Sequence, residues 1–419
     1  MNTSKRHLGV AAACAAILAL GLSGCGGSGS SGSATSTDGA SSGDVTTIEM
    51  WDYLGQGVSN TGMNAAVAAF EKAHPEYKIQ RTSFAYGDLA KSIVQGSVGG
   101  EVPDLAIVDV VDNQNFAALG IAKDLTETAG SKSSEFYEGP WTSTQMDGKT
   151  YGLPLNSNNL GLYYNKALFD AAGVAVPTTW DELKDAAKKL SSGDVSGLAI
   201  SAVKNEQGTF QFLPFVWQAG GDLQDYATAG SEALAFLKSM IDDGSMSSSV
   251  TNYSQEDART QFTAGKAAMM MNGPWELQNL ADVDFEWGVA PLPKGKEAAT
   301  GLGGENVMVM NGAKQAEGAA LFAEFLTSAE GAKIYCSETG QLSARPDLAG
   351  KLKLSEDANL KVFEDQLSIA HARAYGKEYA KVSEAVQNSL QEALTGVSSP
   401  EDAAKKAAQA ITPLLGAEK

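Results

Sequence analysis

Apolar and polar positions alternate along Thr46–Trp51, where Ile48 and Met50 share one side, and this two-residue period predicts a strand. The period then changes. Met63, Ala66, Val67, Phe70 and Ala73 recur at spacings of three and four, the stripe of an amphipathic helix, and Pro75 stops it. Tyr77–Ser83 reads as a second strand, Leu89–Val98 as a helix and Asp104–Asp109 as a third strand. The middle of that third strand is apolar without a break, which suits a parallel strand covered on both faces. Further on, Thr179-Trp180-Asp181-Glu182 is a capping box opening a helix that runs to Leu190. Ser399-Pro400-Glu401-Asp402 opens the last helix with a cap, a first-turn proline and two acids suited to the helix dipole. Alternating strands and helices predict an α/β fold, and no internal repeat is visible.

One apolar run falls outside this alternation. Lys5 and Arg6 precede an uncharged stretch of small and apolar residues, Leu8 to Leu22. A permanent membrane helix needs ~20 apolar residues, so the stretch has the length and flanks of a secretory signal. Leu22-Ser23-Gly24-Cys25 resembles the bacterial lipobox, which implies cleavage before Cys25 and diacylation of its thiol. The alternative is an ordinary signal peptide with an incidental cysteine. Residues 1–24 are thus expected to be a lipoprotein signal peptide, and 25–44 a lipid-anchored tether of Gly, Ser, Thr and Ala too poor in apolar surface to fold. The mature chain is expected on the extracytoplasmic face of the cell membrane. Residues 45–419 exceed one ordinary core, and two domains are expected.

Charge narrows the partners. The net charge is −19, and loss of Lys5 and Arg6 makes it two units more negative. Such a surface repels phosphate backbones and anionic lipid, so no nucleic acid is expected and membrane attachment must come from the lipid. Of three cysteines, Cys14 leaves with the signal and Cys25 is spent on lipid. Cys336 then stands alone and reads as a small buried apolar residue.

A set of short strings, in order, resembles one family. They include Phe70-Glu71-Lys72-Ala73-His74-Pro75, Val102-Pro103-Asp104-Leu105-Ala106 and Asp147-Gly148-Lys149-Thr150-Tyr151-Gly152-Leu153-Pro154. Then come Leu162-Tyr163-Tyr164-Asn165-Lys166, Pro177-Thr178-Thr179-Trp180-Asp181-Glu182-Leu183 and Gln218-Ala219-Gly220-Gly221. Gly265-Lys266-Ala267-Ala268-Met269 leads to Asn272-Gly273-Pro274-Trp275 and to Trp287-Gly288-Val289-Ala290-Pro291-Leu292-Pro293. Together these resemble the family-1 extracellular solute-binding proteins of ABC importers, the group of the maltose- and oligosaccharide-binding proteins. The resemblance implies a two-lobed periplasmic-binding-protein fold with hinge crossings and a ligand cleft between the lobes. By similarity the crossings lie near Leu153–Asn158, Ala290–Pro293 and Ser343–Pro346. The lobes are then discontinuous: 45–153 with 292–343, and 154–291 with 344–419. Independently, ligands of open α/β sheets sit beyond the carboxyl ends of the strands, and interdomain clefts are favoured pockets.

Those strand ends nominate the candidate ligand-binding residues. Trp51, Asp52 and Tyr53 end the first strand; Asp109 and Asp112 end the third, and each acid either meets the ligand or caps the next helix. Tyr86 follows the second strand. Asn158, at the first crossing, offers both donors and acceptors to a hydroxyl, or forms an Asx turn at the hinge. Trp275 follows Gly273-Pro274, and in the family such a tryptophan commonly forms a platform for a sugar ring; core packing is the alternative. Phe210, Trp217 and Gln218 come from a segment that lines the cleft in relatives, and Trp217 is chosen among them over a core role. Gly303, Gly304, Glu305 and Asn306 precede a strand, and the glycines allow close approach of backbone N–H groups to a ligand. Arg345, at the third crossing, forks a ligand or makes an interlobe salt bridge. Tyr375 lies in a region that faces the cleft in the family. Trp180 and Trp287 read as structural.

The expected function is capture of a carbohydrate, specifically a neutral oligosaccharide, for delivery to an ABC permease with its cytoplasmic ATPase. The chain is expected to act as a monomer, without cofactor or metal. Cationic solutes such as polyamines are the runner-up, since Asp52, Asp109, Asp112 and Glu305 could form an acidic cage. A surface glycoside hydrolase, with Asp109 and Glu305 as its two carboxylates, is the rival class. No His-Glu-x-x-His motif is present, and no catalytic role is expected.

Overall fold

The computed structural model describes residues 45–415; the signal, the tether and the lipidation call on Cys25 lie outside the described residues. The first alternating segment is a strand, Thr46–Asp52, followed by the helix Gly57–Ala73, the strand Tyr77–Ser83 and the helix Tyr86–Gly99. The strand Leu105–Asp109 completes a right-to-left series of three parallel strands. Two later segments join them. Glu305–Val309 runs antiparallel to Leu105–Asp109, and Leu153–Pro154 pairs antiparallel with it in turn. The five-stranded order is 77–83, 46–52, 105–109, 305–309, 153–154.

The unbroken apolar run of the third strand is explained by burial on both faces. Leu105 and Ile107, with Ile48, Met50, Val307 and Val309, pack under Phe70, Phe322 and Tyr335. Ala106 and Val108, with Met308 and Met310, face Leu89, Ile93 and Phe116 on the other side. Each fully buried side chain of this size contributes roughly 1.5–3 kcal/mol.

Between its two contributions to the first sheet, the chain builds a second. Its order is 287–290, 161–165, 267–272, 196–199. The strand Gly161–Asn165 is antiparallel to both Trp287–Ala290 and Ala267–Asn272, and Ser196–Ala199 is parallel to the latter. Leu162, Leu198, Met269 and Met271 face the largest core, with Trp180, Phe212, Leu234, Val386 and Ile411. The helix Trp180–Leu190 carries the expected capping box with both bonds formed, Glu182 N–H to Thr179 and Thr179 N–H to Glu182. The helix Pro400–Leu415 begins as expected, with Ser399 Oγ accepting from Asp402 N–H.

The passages between the sheets lie side by side. Asn158 bridges Gly303, and Ser157 bridges Leu342. Thr300–Leu302 still pairs with Ala370–Ala372, and the chain enters the first sheet only at Glu305. Cys336 is buried, as its composition context suggested. Among the described residues, no helix is long and apolar enough to cross a membrane.

Candidate ligand-binding cleft

Strand direction gathers the site. Parallel strands 46–52 and 105–109 end at the same edge, and the antiparallel strand Glu305–Val309 begins there, in register with Glu305 opposite Asp109. Four of the nominated residues meet at this edge. Tyr53 donates its hydroxyl to Glu305 Oε1 at 3.0 Å, and Tyr86 donates to Asp109 Oδ2 at 2.8 Å. The two tyrosine rings meet edge to face, 4.9 Å between centroids.

The second sheet's side answers with a group the sequence reading passed over. Arg373, 3 % exposed, follows the short strand Ala370–Ala372 and reaches Asp109 Oδ1 at 3.3 Å through Nη2. Its Nη1 pairs with Glu206, in the first turn of the helix Glu206–Gln218. The guanidinium lies over the Phe210 ring, 4.2 Å from its centroid. Glu206 in turn accepts from Tyr379 at 2.6 Å and from Ser383. A buried arginine without acids would be prohibitive, so this pairing is what allows it. Arg373 Nε has no partner, and Arg373 lines a pocket with Val110, Val111, Pro140, Ser143 and Leu302.

Electrostatics follow from four carboxyls sharing one guanidinium. Burial, and then the charge of Asp109, push the Glu305 carboxyl up to about 7, against the pull of its hydrogen bonds with Asn156 and Tyr53. Its Oε2 has no hydrogen-bond partner. Asp112 is raised well above the usual carboxylate range by burial, then by Asp109 and Glu206, with Arg373 opposing. Glu206 is raised by burial, which outweighs its pairing with Arg373. Burial works against the charge on Arg373, but Asp109, Tyr379 and Glu206 hold it protonated.

The hinge residues lie nearby. Asn158 is buried, pairs through its backbone with Gly303, and keeps Oδ1 without a partner. Asn306, fully buried, donates Nδ2 to Ser143 Oγ at 2.9 Å, so it backs the pocket wall. Gly304 has φ 142°, and a Cβ there would fall 2.6 Å from the Asn156 carbonyl. Its glycine is required by the neighbouring crossing, a different reason from the ligand approach expected of it. Trp275 is half-buried beside the largest core, 6.4 Å from the Phe210 ring. It folds back over Gly273, where a Cβ would sit 2.0 Å from the indole.

Five nominations are corrected. Asp52 is fully buried and saturated: Oδ1 accepts from Leu54 N–H and Ser83 Oγ, and Oδ2 pairs with Arg81 Nε at 2.9 Å. Trp51 packs on Phe84 at 5.0 Å in the core beneath helix Tyr86–Gly99. Trp217, 2 % exposed, is a core residue stacked on His371, with Nε1 donating to Asp222 at 2.9 Å. Tyr375 is tied to the same Asp222 and stacks on Tyr379. Arg345 is consumed by Asp347, by Glu135 at 2.8 Å and by the Thr327 carbonyl at 3.1 Å, the salt-bridge alternative. Arg373 and Glu206 were missed because no spacing rule links positions so far apart. The one available signal was an arginine set among alanines in a chain where buried cations need acids.

Comparison with known proteins gives this geometry a context. A binding protein of Brucella abortus (strain 2308) is 28% identical over 362 residues, which is 83% of this chain and 88% of that protein. The maltooligosaccharide ABC transporter solute-binding lipoprotein of Streptococcus pneumoniae (strain ATCC BAA-255 / R6) is 26% identical, covering 75% of this chain and 76% of its own. Maltose-bound MalE3 of T. maritima superposes with a TM-score of 0.81 at 28% identity, over 88% of this chain and 100% of that one. The two-lobed architecture expected from the sequence is therefore the fold. The model of the bacterial extracellular solute-binding protein family matches residues 55–333, and the chain belongs to that family.

Proposed function

We propose that this chain is the extracytoplasmic capture subunit of an ABC importer and that its ligand is a neutral oligosaccharide. The observation that carries the reading is the meeting of the two sheets at Asp109: the Tyr53–Glu305 and Tyr86–Asp109 hydrogen bonds of the first sheet's edge meet Arg373, which lies over the Phe210 ring and lines a pocket with Ser143. Polyhydroxylated rings present hydroxyls at the edge and an apolar C–H face, and this mixture complements both. The names of the Streptococcus relative and the maltose-bound neighbour support a saccharide. We assign the lobes as 45–153 joined by 304–343, and 154–303 joined by 344–419. The second crossing is set at Gly303–Glu305, because residues 300–302 still pair with 370–372. Asp112, Asn158, Asn306 and Arg373 complete the proposed site.

Two other readings lose ground to specific contacts. The acidic cage for a polyamine loses Asp52 to Arg81, and Asp109 already faces Arg373. A hydrolase would need Asp109 free, whereas Tyr86 and Arg373 both hold it. A thermal-shift screen over neutral saccharides and polyamines, with product analysis of each sugar, tests all three. A neutral sugar at 100 times its Kd should add ~2.7 kcal/mol to stability and be recovered intact. Stabilisation by spermidine with none by any saccharide would overturn the proposal, and so would cleavage of the sugar.

The lipid anchor on Cys25 belongs to the same reading. Intact mass of the protein extracted from membranes is expected to fit a chain beginning at Cys25 and carrying acyl groups. A soluble product cleaved elsewhere sinks it.

A further inference from the structure

We propose that Arg373, held by Glu206 on the second lobe, latches onto Asp109 of the first, and that closing the latch takes up a proton. The inference rests on the two-lobed capture reading above and adds that the lobes open and close about their crossings, though its test uses no sugar. Asp109 stands at the end of the first sheet, and Glu206 opens a helix packed on the second. Arg373 touches both, with Nη2 on Asp109 and Nη1 on Glu206, and its guanidinium covers Phe210. The arginine side chain is 1 % exposed, so it is sealed from solvent. The backbones also come near each other beside it: a Cβ on Gly87, in the helix Tyr86–Gly99, would lie 3.5 Å from Nδ2 of Asn205, the cap of the Glu206 helix.

The charge balance of this bridge is uneven. Glu206 is faced by Asp109 and Asp112 from the end of strand Leu105–Asp109, by Tyr86 from helix Tyr86–Gly99, and by Tyr379 and Ser383 from helix Tyr379–Leu394. Arg373 is the cation that opposes these acids, and Ser383 and Tyr379 donate hydrogen bonds to Glu206. With Glu305 beside Asp109, four carboxyls thus crowd one guanidinium, and two of them, Glu206 and Asp112, sit on opposite sides of the closing gap. Separating the lobes returns them to water and moves them apart, so their charged forms recover. The sign follows. Glu206 and Asp112 are both raised in the closed arrangement, so the closed form binds more protons than the open one. Falling pH therefore favours closure, and rising pH through the shifted values favours opening. Each lobe arrangement is a state of one equilibrium that protons bias by their differential binding.

Small-angle scattering of the unliganded protein, from about pH 8 down to about pH 5, reads this directly across the window where raised carboxyls titrate. The radius of gyration of the wild type is expected to shrink as pH falls, with the far-ultraviolet circular dichroism unchanged. Glu206→Gln, which keeps one acceptor oxygen for Arg373 and Tyr379 and removes the titrating charge, is expected to stay compact across the range. Arg373→Met is expected to stay expanded at every pH. A wild-type radius indifferent to pH overturns the latch, as does an equal response in Glu206→Gln. Neither outcome touches sugar capture, whose own failure would show as silence in the thermal-shift screen.

Discussion

Replacing Trp275 with alanine is expected to weaken saccharide binding by about 2–4 kcal/mol, the range of a binding hot spot. The expectation comes from where the ring lies. It is half-buried, folded back over Gly273, and near enough to Phe210 to share a wall with the face on which Arg373 rests. A fully buried tryptophan would behave differently, costing ~3–5 kcal/mol of stability on truncation. Trp275 keeps part of its surface free, so the unliganded melting temperature should fall less than that figure implies. Titration calorimetry with the sugar identified in the screen, alongside melting of the same variant, separates the two roles. Unchanged affinity with a large drop in melting would assign the ring to the core and remove it from the site.

Asp52→Ala is expected to destabilise the fold by about 3–5 kcal/mol, because it strands Arg81 after removing a buried partner. The same change also orphans the Ser83 hydroxyl and the Leu54 N–H, which now share Oδ1. Asp52→Asn keeps an acceptor and should recover part of the loss, though not the charge pairing. Denaturant titration of the two variants gives the ranking wild type, Asn, Ala. Sugar affinity should stay near the wild-type value in whichever variant remains folded. A selective loss of affinity with intact stability would return Asp52 to the ligand.

The contrast between Asp52 and Asp109 shows where sequence reasoning stops. Both end parallel strands at the same sheet edge, and the pattern of the chain places both there correctly. Their fates diverge through neighbours that pattern does not reveal. Arg81, on the adjacent strand, takes Asp52 out of the cleft, while Asp109 is met by Tyr86 from its own side and by Arg373 from across the cleft. Local signals were legible for the same reason that they are local. The apolar middle of strand Leu105–Asp109, the capping box at Thr179 and the start of the last helix depend on residues a few positions apart. Trp217 and Tyr375 were misread because a tryptophan and a tyrosine near a cleft look alike whether they face a ligand or Asp222. The family resemblance carried the two-lobed architecture. The proposed shift of the second crossing from near Ala290–Pro293 to Gly303–Glu305 rests on the pairing of 300–302 with 370–372, a long-range choice that no local pattern reveals.

The late arrival of strand Glu305–Val309 in the first sheet has a consequence for how this protein is made. Val309 pairs with Leu105 and Val307 with Leu153, so the sheet begun near the start of the folded region is completed only by residues far along the chain. Contacts at such separation are slow to form, because the intervening loop must be closed before they reward it. A ribosome emits the early segments first, and these cannot seal their own hydrophobic faces while the keystone strand is missing. The first sheet of the nascent chain therefore stays open until residue 309 has been made, which leaves its early strands without a closed core for most of synthesis.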